Sequence, residues 1–82
     1  MANSDQIRFT IAGKFITLSK EMVERTMKEA TPEPIKKWWV SIGGVHFPIK
    51  QVLSAVIGLP TAAFISTDAY RVLRRLGFEI KS

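Results

Sequence analysis

Two closely spaced prolines, Pro32 and Pro34, place the strictest limit on how this chain can fold. Proline has no backbone N–H and disfavours helical backbone in the residue before it, so a helix that approaches Thr31 has to end there. The segment around the prolines is too short to link two domains, and we interpret it as a hinge within one. At 82 residues the chain has room for a single domain, so we expect one over residues 1–82, with residues 1–6 as a flexible N-terminus.

The chain before the prolines predicts a hairpin followed by a helix. Residues 7–18 alternate apolar and polar side chains around Ala12-Gly13, which favours two short strands joined by a tight turn. One longer bent strand is the alternative. Ser19 is a typical N-cap, and the residues after it predict a helix over Lys20–Ala30.

A second hairpin is predicted over residues 37–47, because Gly43-Gly44 tolerates positive φ at both positions of a two-residue turn. This turn sets the register of the strands by pairing Val40 with Phe47. Side chains alternate along a strand, so the register also assigns the two faces. The face predicted to be buried carries Trp38, Val40, Ile42, Val45 and Phe47, and the opposite face carries Trp39, Ser41 and His46.

A helix is predicted directly after this hairpin. Proline suits the first turn of a helix, and Pro48 stands at its start. The apolar spacing over residues 49–57 gives one buried stripe, and Gly58 is a typical C-terminal stop. In the connection that follows, Phe64 is expected to anchor to the core.

The last helix is predicted to begin with Ser66 or Thr67 as its N-cap, with Asp68 in its first turn, and to end at Gly77. A short terminal strand over residues 78–80 completes the order β-β-α-β-β-α-α-β. The sequence therefore predicts a small single-domain α+β protein. The succession of the last two helices, with a hairpin beside them, predicts a helix-turn-helix-like or winged-helix-like C-terminal half.

The positive charge of the chain is concentrated after the prolines. Residues 1–35 carry five Lys and Arg against five Asp and Glu, whereas residues 36–82 carry seven against two, which accounts for the whole net charge of +5. The hairpin and helix of residues 7–30 are therefore a neutral part of the domain, and the hairpin and two helices of residues 36–80 are a basic part. A surplus of this kind indicates a polyanionic partner, with nucleic acid as the first candidate.

The last helix carries the main candidate binding cluster. Arg71, Arg74 and Arg75 are three or four residues apart, and Tyr70 precedes Arg74 by four, so they share the helix face away from the apolar stripe. Guanidinium groups beside a phenol suit phosphate binding and base-edge contacts. The alternative is that these arginines only solubilise the domain and complement the helix dipole. Three lysines that flank the second hairpin complete the predicted nucleic-acid-binding set: Lys36, Lys37 and Lys50.

The outward face of the second hairpin is a separate candidate site. Trp39, Ser41 and His46 on a small sheet could stack on nucleic-acid bases or anchor a protein interface. The alternative is that Trp39 packs against the N-terminal hairpin or helix. His46 has no evident partner ligand, and we expect it to be a surface histidine.

The residues that most enzymes and metal sites need are scarce. The chain has no cysteine and one histidine, so it lacks thiolate ligands, a cysteine nucleophile and a second imidazole. Gly43-Gly44 lacks the spacing of a phosphate-binding loop. We therefore expect no enzymatic activity, no metal and no cofactor. Neither a secretory signal nor an apolar run of membrane length is evident, so we expect a cytoplasmic protein with no membrane partner.

The stretch WWVSIGGVHFPIKQVLSAVIGL and the later RVLRRLGFEI resemble a known module. The module is the small N-terminal head domain of McrA-type HNH restriction endonucleases, which act on modified DNA. The resemblance covers residues 38–80 and implies this fold and a DNA-associated, restriction-related context. No HNH nuclease motif follows, so no catalytic site carries over. The matching residues are Phe47, Lys50, Ala55, Phe64, Ser66, Ala69, Leu73, Arg74, Arg75, Leu76, Gly77 and Phe78.

Three hypotheses about function follow from these observations. The first is a small non-enzymatic nucleic-acid-binding protein, with DNA favoured over RNA, that uses the basic C-terminal helix and hairpin. The second is a protein-interaction or oligomerisation module, a homodimer included, that uses the hairpin face around Trp39. The third is motivated by the resemblance alone: a phage or mobile-element protein that blocks or mimics a restriction system. The positive charge argues against one that mimics DNA.

Overall fold

Strands and helices alternate along residues 6–82, the part of the chain that the computed structural model describes, in the order β-β-α-β-β-α-3₁₀-α-β. This order confirms the predicted α+β fold and adds one turn of 3₁₀ helix. The strands are β1 (Gln6–Ile11), β2 (Lys14–Ser19), β3 (Trp39–Ile42), β4 (Val45–Pro48) and β5 (Ile80–Lys81). The α-helices are α1 (Lys20–Met27), α2 (Ile49–Ile57) and α3 (Ser66–Arg75), and the 3₁₀ helix is Thr61–Ala63.

The first hairpin consists of two strands, as predicted, and not of one bent strand. β1 and β2 pair antiparallel from Gln6 opposite Ser19 to Ile11 opposite Lys14. Their turn is Ala12-Gly13, and Ala12 has a φ of 52°, an uncommon value for a residue other than glycine. Gln6 already belongs to β1, so the predicted flexible N-terminus is one residue too long; its other residues, 1–5, lie outside the described residues.

Helix α1 begins where the sequence predicts and ends earlier. The Ser19 hydroxyl oxygen accepts a hydrogen bond from the Met22 N–H at 3.2 Å, which confirms the N-cap. The helix ends at Met27, whereas the predicted end was Ala30. The Ala30 N–H donates to the Met27 carbonyl at 3.2 Å, an i→i+3 bond, so the chain turns more tightly here than in an α-helix.

The second sheet has the strand order β4-β3-β5, with both pairs antiparallel. Val40 lies opposite Phe47, which confirms the predicted register. The terminal strand lies at Ile80–Lys81, so the predicted range 78–80 was wrong at its start. The Phe78 N–H donates to the Leu73 carbonyl at 3.1 Å, which makes Phe78 part of the helix end that Gly77 closes.

The core lies where the helices cover the second sheet and the inner face of the first hairpin. Among residues 6–82, sixteen hydrophobic side chains are buried in one cluster drawn from both halves of the chain. Burial of a side chain such as leucine or phenylalanine stabilises the fold by about 1.5–3 kcal/mol relative to exposure. The largest fully buried side chains are Phe47, Leu18, Met27, Leu53, Leu73, Val23, Val40 and Val52.

Two residues of the hairpin face predicted to be buried are not in this core. Val45 is 39% exposed, because it follows the turn on β4, the edge strand of the sheet. Trp38 is half-buried, because it precedes β3 and reaches the rim of the core. Val40, Ile42 and Phe47 are buried, as predicted.

The connection between α2 and α3 starts and ends on identifiable residues. Gly58 adopts a left-handed φ of 74° and ends α2, as predicted, and Phe64 is 5% exposed and anchors the connection to the core. The predicted N-cap of α3 was wrong: the cap is Ile65, not Ser66 or Thr67. Isoleucine has no side-chain acceptor, and the Asp68 carboxylate instead accepts from the Ile65 N–H at 3.2 Å.

Helices α2 and α3 pack against each other, as a helix-turn-helix-like arrangement requires. Their connection over residues 58–65 is longer than the usual turn of about three or four residues, because it contains the 3₁₀ helix. Within residues 6–82, no helix combines the length and the apolar character that crossing a membrane demands.

Candidate nucleic-acid interface

A groove of about 460 Å³ opens between the proline segment and the first turns of α2 and α3. The structure brings the three predicted lysines together here, although Lys50 is separated from Lys36 and Lys37 by the second hairpin. Trp38 and hydroxyl groups from the start of α3 share the same lining. The residues that line the groove are Glu33, Pro34, Lys36, Lys37, Trp38, Pro48, Ile49, Lys50, Gln51, Thr61, Ser66 and Thr67.

Gln51 fixes the wall of this groove. Its Oε1 accepts a hydrogen bond from the Glu33 N–H at 2.8 Å, and its Nε2 donates to the Thr31 carbonyl at 2.8 Å. The proline segment lacks a regular partner for its backbone polar groups, and one side chain of α2 supplies both bonds. The sequence does not predict this role, because a polar residue off the apolar stripe of a helix is typical of an ordinary exposed position.

An aromatic and basic chain of contacts connects the groove to the arginines of α3. The Trp38 and Tyr70 rings meet edge to face, with centroids 4.2 Å apart and planes at 70°. The Tyr70 hydroxyl accepts a hydrogen bond from Arg74 Nη1 at 2.9 Å. At the other end, Lys37 Nζ lies 5.4 Å from the centre of the Trp38 ring. The predicted lysines and arginines are therefore parts of one surface, with Trp38 between them.

The exposed face of α3 continues this surface. Thr67, Tyr70, Arg71 and Arg74 are three or four residues apart, so they occupy one face, and Arg75 adjoins Arg71 on it. The three arginines are exposed, whereas Val72, Leu73 and Leu76 on the opposite face are buried. The basic residues thus run from the groove, which Thr67 lines, to the C-terminal end of the helix.

The cations of this surface lack carboxylate partners in the described part of the chain. Within residues 6–82, the ion pairs are Arg25 with Glu21 at 3.0 Å and Lys81 with Glu79 at 3.9 Å. Asp68, the acidic residue on α3, is engaged at the helix start. Glu33 is an acidic residue in the lining of the groove, where the three lysines outnumber it, and a surplus of positive charge attracts anions from solution. We call the following six residues the basic surface: Lys36, Lys37, Lys50, Arg71, Arg74 and Arg75.

Trp39, Ser41 and His46 lie on the other side of the second sheet. Trp39 is half-buried and stacks on His46, with ring centroids 4.0 Å apart and planes at 26°. Its aromatic neighbour thus comes from its own hairpin. Ser41 and His46 are exposed. Lys81 lies opposite Trp39 in the pairing of β3 with β5, which places a lysine on the same face that the sequence did not predict there.

The described residues hold no cluster of three or more His, Asp or Glu side chains of the kind that binds a metal ion. The fold and the basic surface together define a small α+β domain with a cationic groove. The chain belongs to the SCO5918-like family, whose model matches residues 7–82. That match includes the first hairpin and α1, whereas the resemblance to the McrA-type head domain covers residues 38–80 only. Searches of curated proteins and of solved structures find no match to this chain.

Proposed function

We propose that this chain is a small non-enzymatic nucleic-acid-binding protein, with DNA preferred over RNA. The observation that carries the proposal is the basic surface: six cations without a carboxylate partner in residues 6–82, continuous from the groove to the end of α3. The net charge of +5 belongs to residues 36–82, which include all six of these cations, and a surplus of this kind suits a polyanion.

In this proposal the lysines and arginines neutralise phosphates, and α3 lies along or in a groove of the duplex. The hydrogen bond from Arg74 to Tyr70 and the contact of Tyr70 with Trp38 hold Arg74 in a fixed orientation. A preoriented guanidinium loses less side-chain entropy when it binds a phosphate than a free one does. Arg71 and Arg75, on the same helix face, add charge beside it.

Three carboxylates of the described residues are engaged in contacts within the domain. Glu21 and Glu79 pair with cations, and Asp68 bonds the start of α3. The resemblance to the McrA-type head domain supports a restriction-associated context in the cytoplasm. DNA is the polyanion on which such a restriction system acts.

A mobility-shift titration with duplex DNA at several salt concentrations tests the proposal. With about four phosphate contacts, the logarithm of the association constant should fall with the logarithm of salt at a slope of about −3.6. A triple Arg71/Arg74/Arg75→Ala variant should bind more weakly, and its slope should be shallower by about 0.9 for each arginine that contacts a phosphate. Competition with RNA of the same length tests the preference for DNA.

The matched control removes the same amount of charge from the neutral half. Arg8, Lys14 and Lys28 are exposed and lie in the first hairpin and at the end of α1, so a triple alanine variant there has the same net charge as the arginine variant. We expect it to bind almost like the wild type. Equal weakening in both variants would show that net charge alone drives binding, and a flat salt response would exclude the proposed mechanism.

A protein-interaction module is the second candidate, and the stacked pair of Trp39 and His46 favours it. These rings lie on a sheet face separate from the basic surface, so a protein partner or a second copy could dock there while DNA is bound. Sizing chromatography of the wild type and of Trp39→Ala tests it. A dimer that dissociates in the variant supports this role, and a monomer in both excludes a homodimer through this face.

A further inference from the structure

We infer that the groove between the proline segment and helices α2 and α3 binds a single unpaired nucleotide of a nucleic-acid strand. This inference rests on the proposed function and gives it a structural detail: the basic surface has a concave end as well as an exposed helix face. The convex face of α3 suits a duplex backbone. The groove is a different kind of site, because it combines cations with an aromatic wall.

The size and chemistry of the groove fit one nucleotide. Its volume of about 460 Å³ lies within the range of about 300–1,000 Å³ that is usual for small-molecule sites. The lysine side chains Lys36, Lys37 and Lys50 supply positive charge for a phosphate. Hydroxyl groups of Ser66 and Thr67 line the same space and can donate to phosphate or sugar oxygens.

Trp38 supplies the surface for the base. One side of its ring system is held by the edge-to-face contact with Tyr70, so the indole is fixed and does not need to be ordered on binding. The Lys37 ammonium lies 5.4 Å from the ring centre and covers the indole. Lys37 is exposed and has a flexible stem, so a base can displace it toward the phosphate.

The shape of the site favours an unpaired nucleotide over a base pair. In a duplex the bases are stacked inside the helix, and only their edges and the backbone reach a protein. An indole that lines a groove can stack only on a base that has left the duplex or belongs to a single strand. Glu33, the carboxylate in the lining, repels phosphate and so directs it toward the lysines.

Tryptophan fluorescence in a Trp39→Phe background tests this inference, since Trp38 is then the remaining tryptophan of the chain. The probes are a single-stranded dT 12-mer, a 12-base-pair duplex, a poly-glutamate peptide and inorganic phosphate. We expect the dT 12-mer to quench Trp38 emission, and the duplex to bind with little quenching. Equal quenching by duplex and single strand, or by poly-glutamate, would overturn the inference, the latter in favour of an acidic protein partner.

Variants in the same background separate the groove from the face of α3. Lys36/Lys37/Lys50→Ala should weaken binding of the dT 12-mer about tenfold or more, whereas Arg8/Lys14/Lys28→Ala should leave it nearly unchanged. Trp38→Phe should weaken it about two- to fivefold, because a smaller ring stacks less. This variant has no tryptophan left in that background, so its affinity is measured by the mobility shift of a labelled dT 12-mer, beside that of the Trp39→Phe parent. If these groove variants bind the dT 12-mer like the wild type, the inference fails. The proposed function is judged separately, by the duplex mobility shift of Arg71/Arg74/Arg75→Ala.

Discussion

Gln51 holds Glu33 through its backbone: the Glu33 N–H donates to Gln51 Oε1 at 2.8 Å, while Gln51 Nε2 donates to the Thr31 carbonyl. One side chain on α2 thus fixes both ends of the segment that contains Pro32. This segment joins the two halves of the chain and forms a wall of the groove. The hinge that the prolines predict is therefore held in place by the helix beneath it.

Gln51→Ala should lower the free energy of unfolding by about 1–3 kcal/mol, because two hydrogen bonds that each contribute about 0.5–1.5 kcal/mol are lost. In a domain of this size that corresponds to a decrease in Tm of about 4–8 °C for each kcal/mol. Thermal unfolding followed by circular dichroism measures it. Gln51→Glu serves as a control, since it keeps an acceptor for Glu33 but loses the donor to Thr31, and it should retain part of the stability. An unchanged Tm in Gln51→Ala would show that the segment is held by other contacts.

Tyr70→Phe should weaken DNA binding while the fold stays intact. The phenylalanine ring preserves the contact with Trp38 but cannot accept the hydrogen bond from Arg74 Nη1. Losing one such bond corresponds to a decrease in affinity of about two- to tenfold. The measurement is a mobility-shift titration beside thermal unfolding. Wild-type affinity in Tyr70→Phe would mean that Arg74 does not need Tyr70 to orient it. Tyr70→Ala also loses the ring contact with Trp38, so it should be less stable than the wild type and Tyr70→Phe.

The parts of the fold that follow from local sequence signals were predictable. Gly43-Gly44 alone determines that Val40 pairs with Phe47, because a two-residue turn leaves one register. Ser19 and Gly58 mark the beginning of α1 and the end of α2 for reasons contained within a few residues. The i,i+4 spacing likewise places Tyr70 beside Arg74.

The groove depends on contacts between residues that are far apart in the sequence, and for this reason it could not be predicted from the sequence. Gln51 and Thr31 are 20 residues apart, and nothing in their neighbourhoods marks them as partners. Strand alternation assigned Trp38 to the buried face, but the residue precedes β3 and is half-buried, and its ring contacts Tyr70 of α3. The lysines were recognised as a charge surplus, whereas their convergence on one groove required the fold.

Gly58→Ala should destabilise the protein through the backbone alone. Gly58 has a φ of 74° and a ψ of 24°, and beyond Gly58 itself and its two chain neighbours no heavy atom lies within 4 Å of the position that a Cβ would take. The left-handed conformation costs about 1–2 kcal/mol in a residue that has a Cβ, and we expect that loss in the free energy of unfolding. Urea denaturation measures it. Gly58→Asn should cost less, because asparagine tolerates this conformation better. If alanine and asparagine destabilise the protein equally, the positive φ is not the cause.

Leu73→Ala tests whether DNA binding depends on the anchoring of α3 to the core or only on the positive charge of the helix. Leu73 is fully buried, and its substitution removes a side chain that holds α3 to the core without changing any residue of the basic surface. The expected loss is about 2–5 kcal/mol, against a total stability of roughly 4–12 kcal/mol for a chain of 82 residues. Urea denaturation gives the loss, and DNA titration of the same sample shows whether the arginines still bind when α3 is loosened. Leu73→Met keeps the volume and should cost less than about 1.5 kcal/mol. We expect Leu73→Ala to bind DNA more weakly than Leu73→Met. Equal affinities of the two variants would show that the arginines bind DNA by their charge alone and do not need a helix that is anchored to the core.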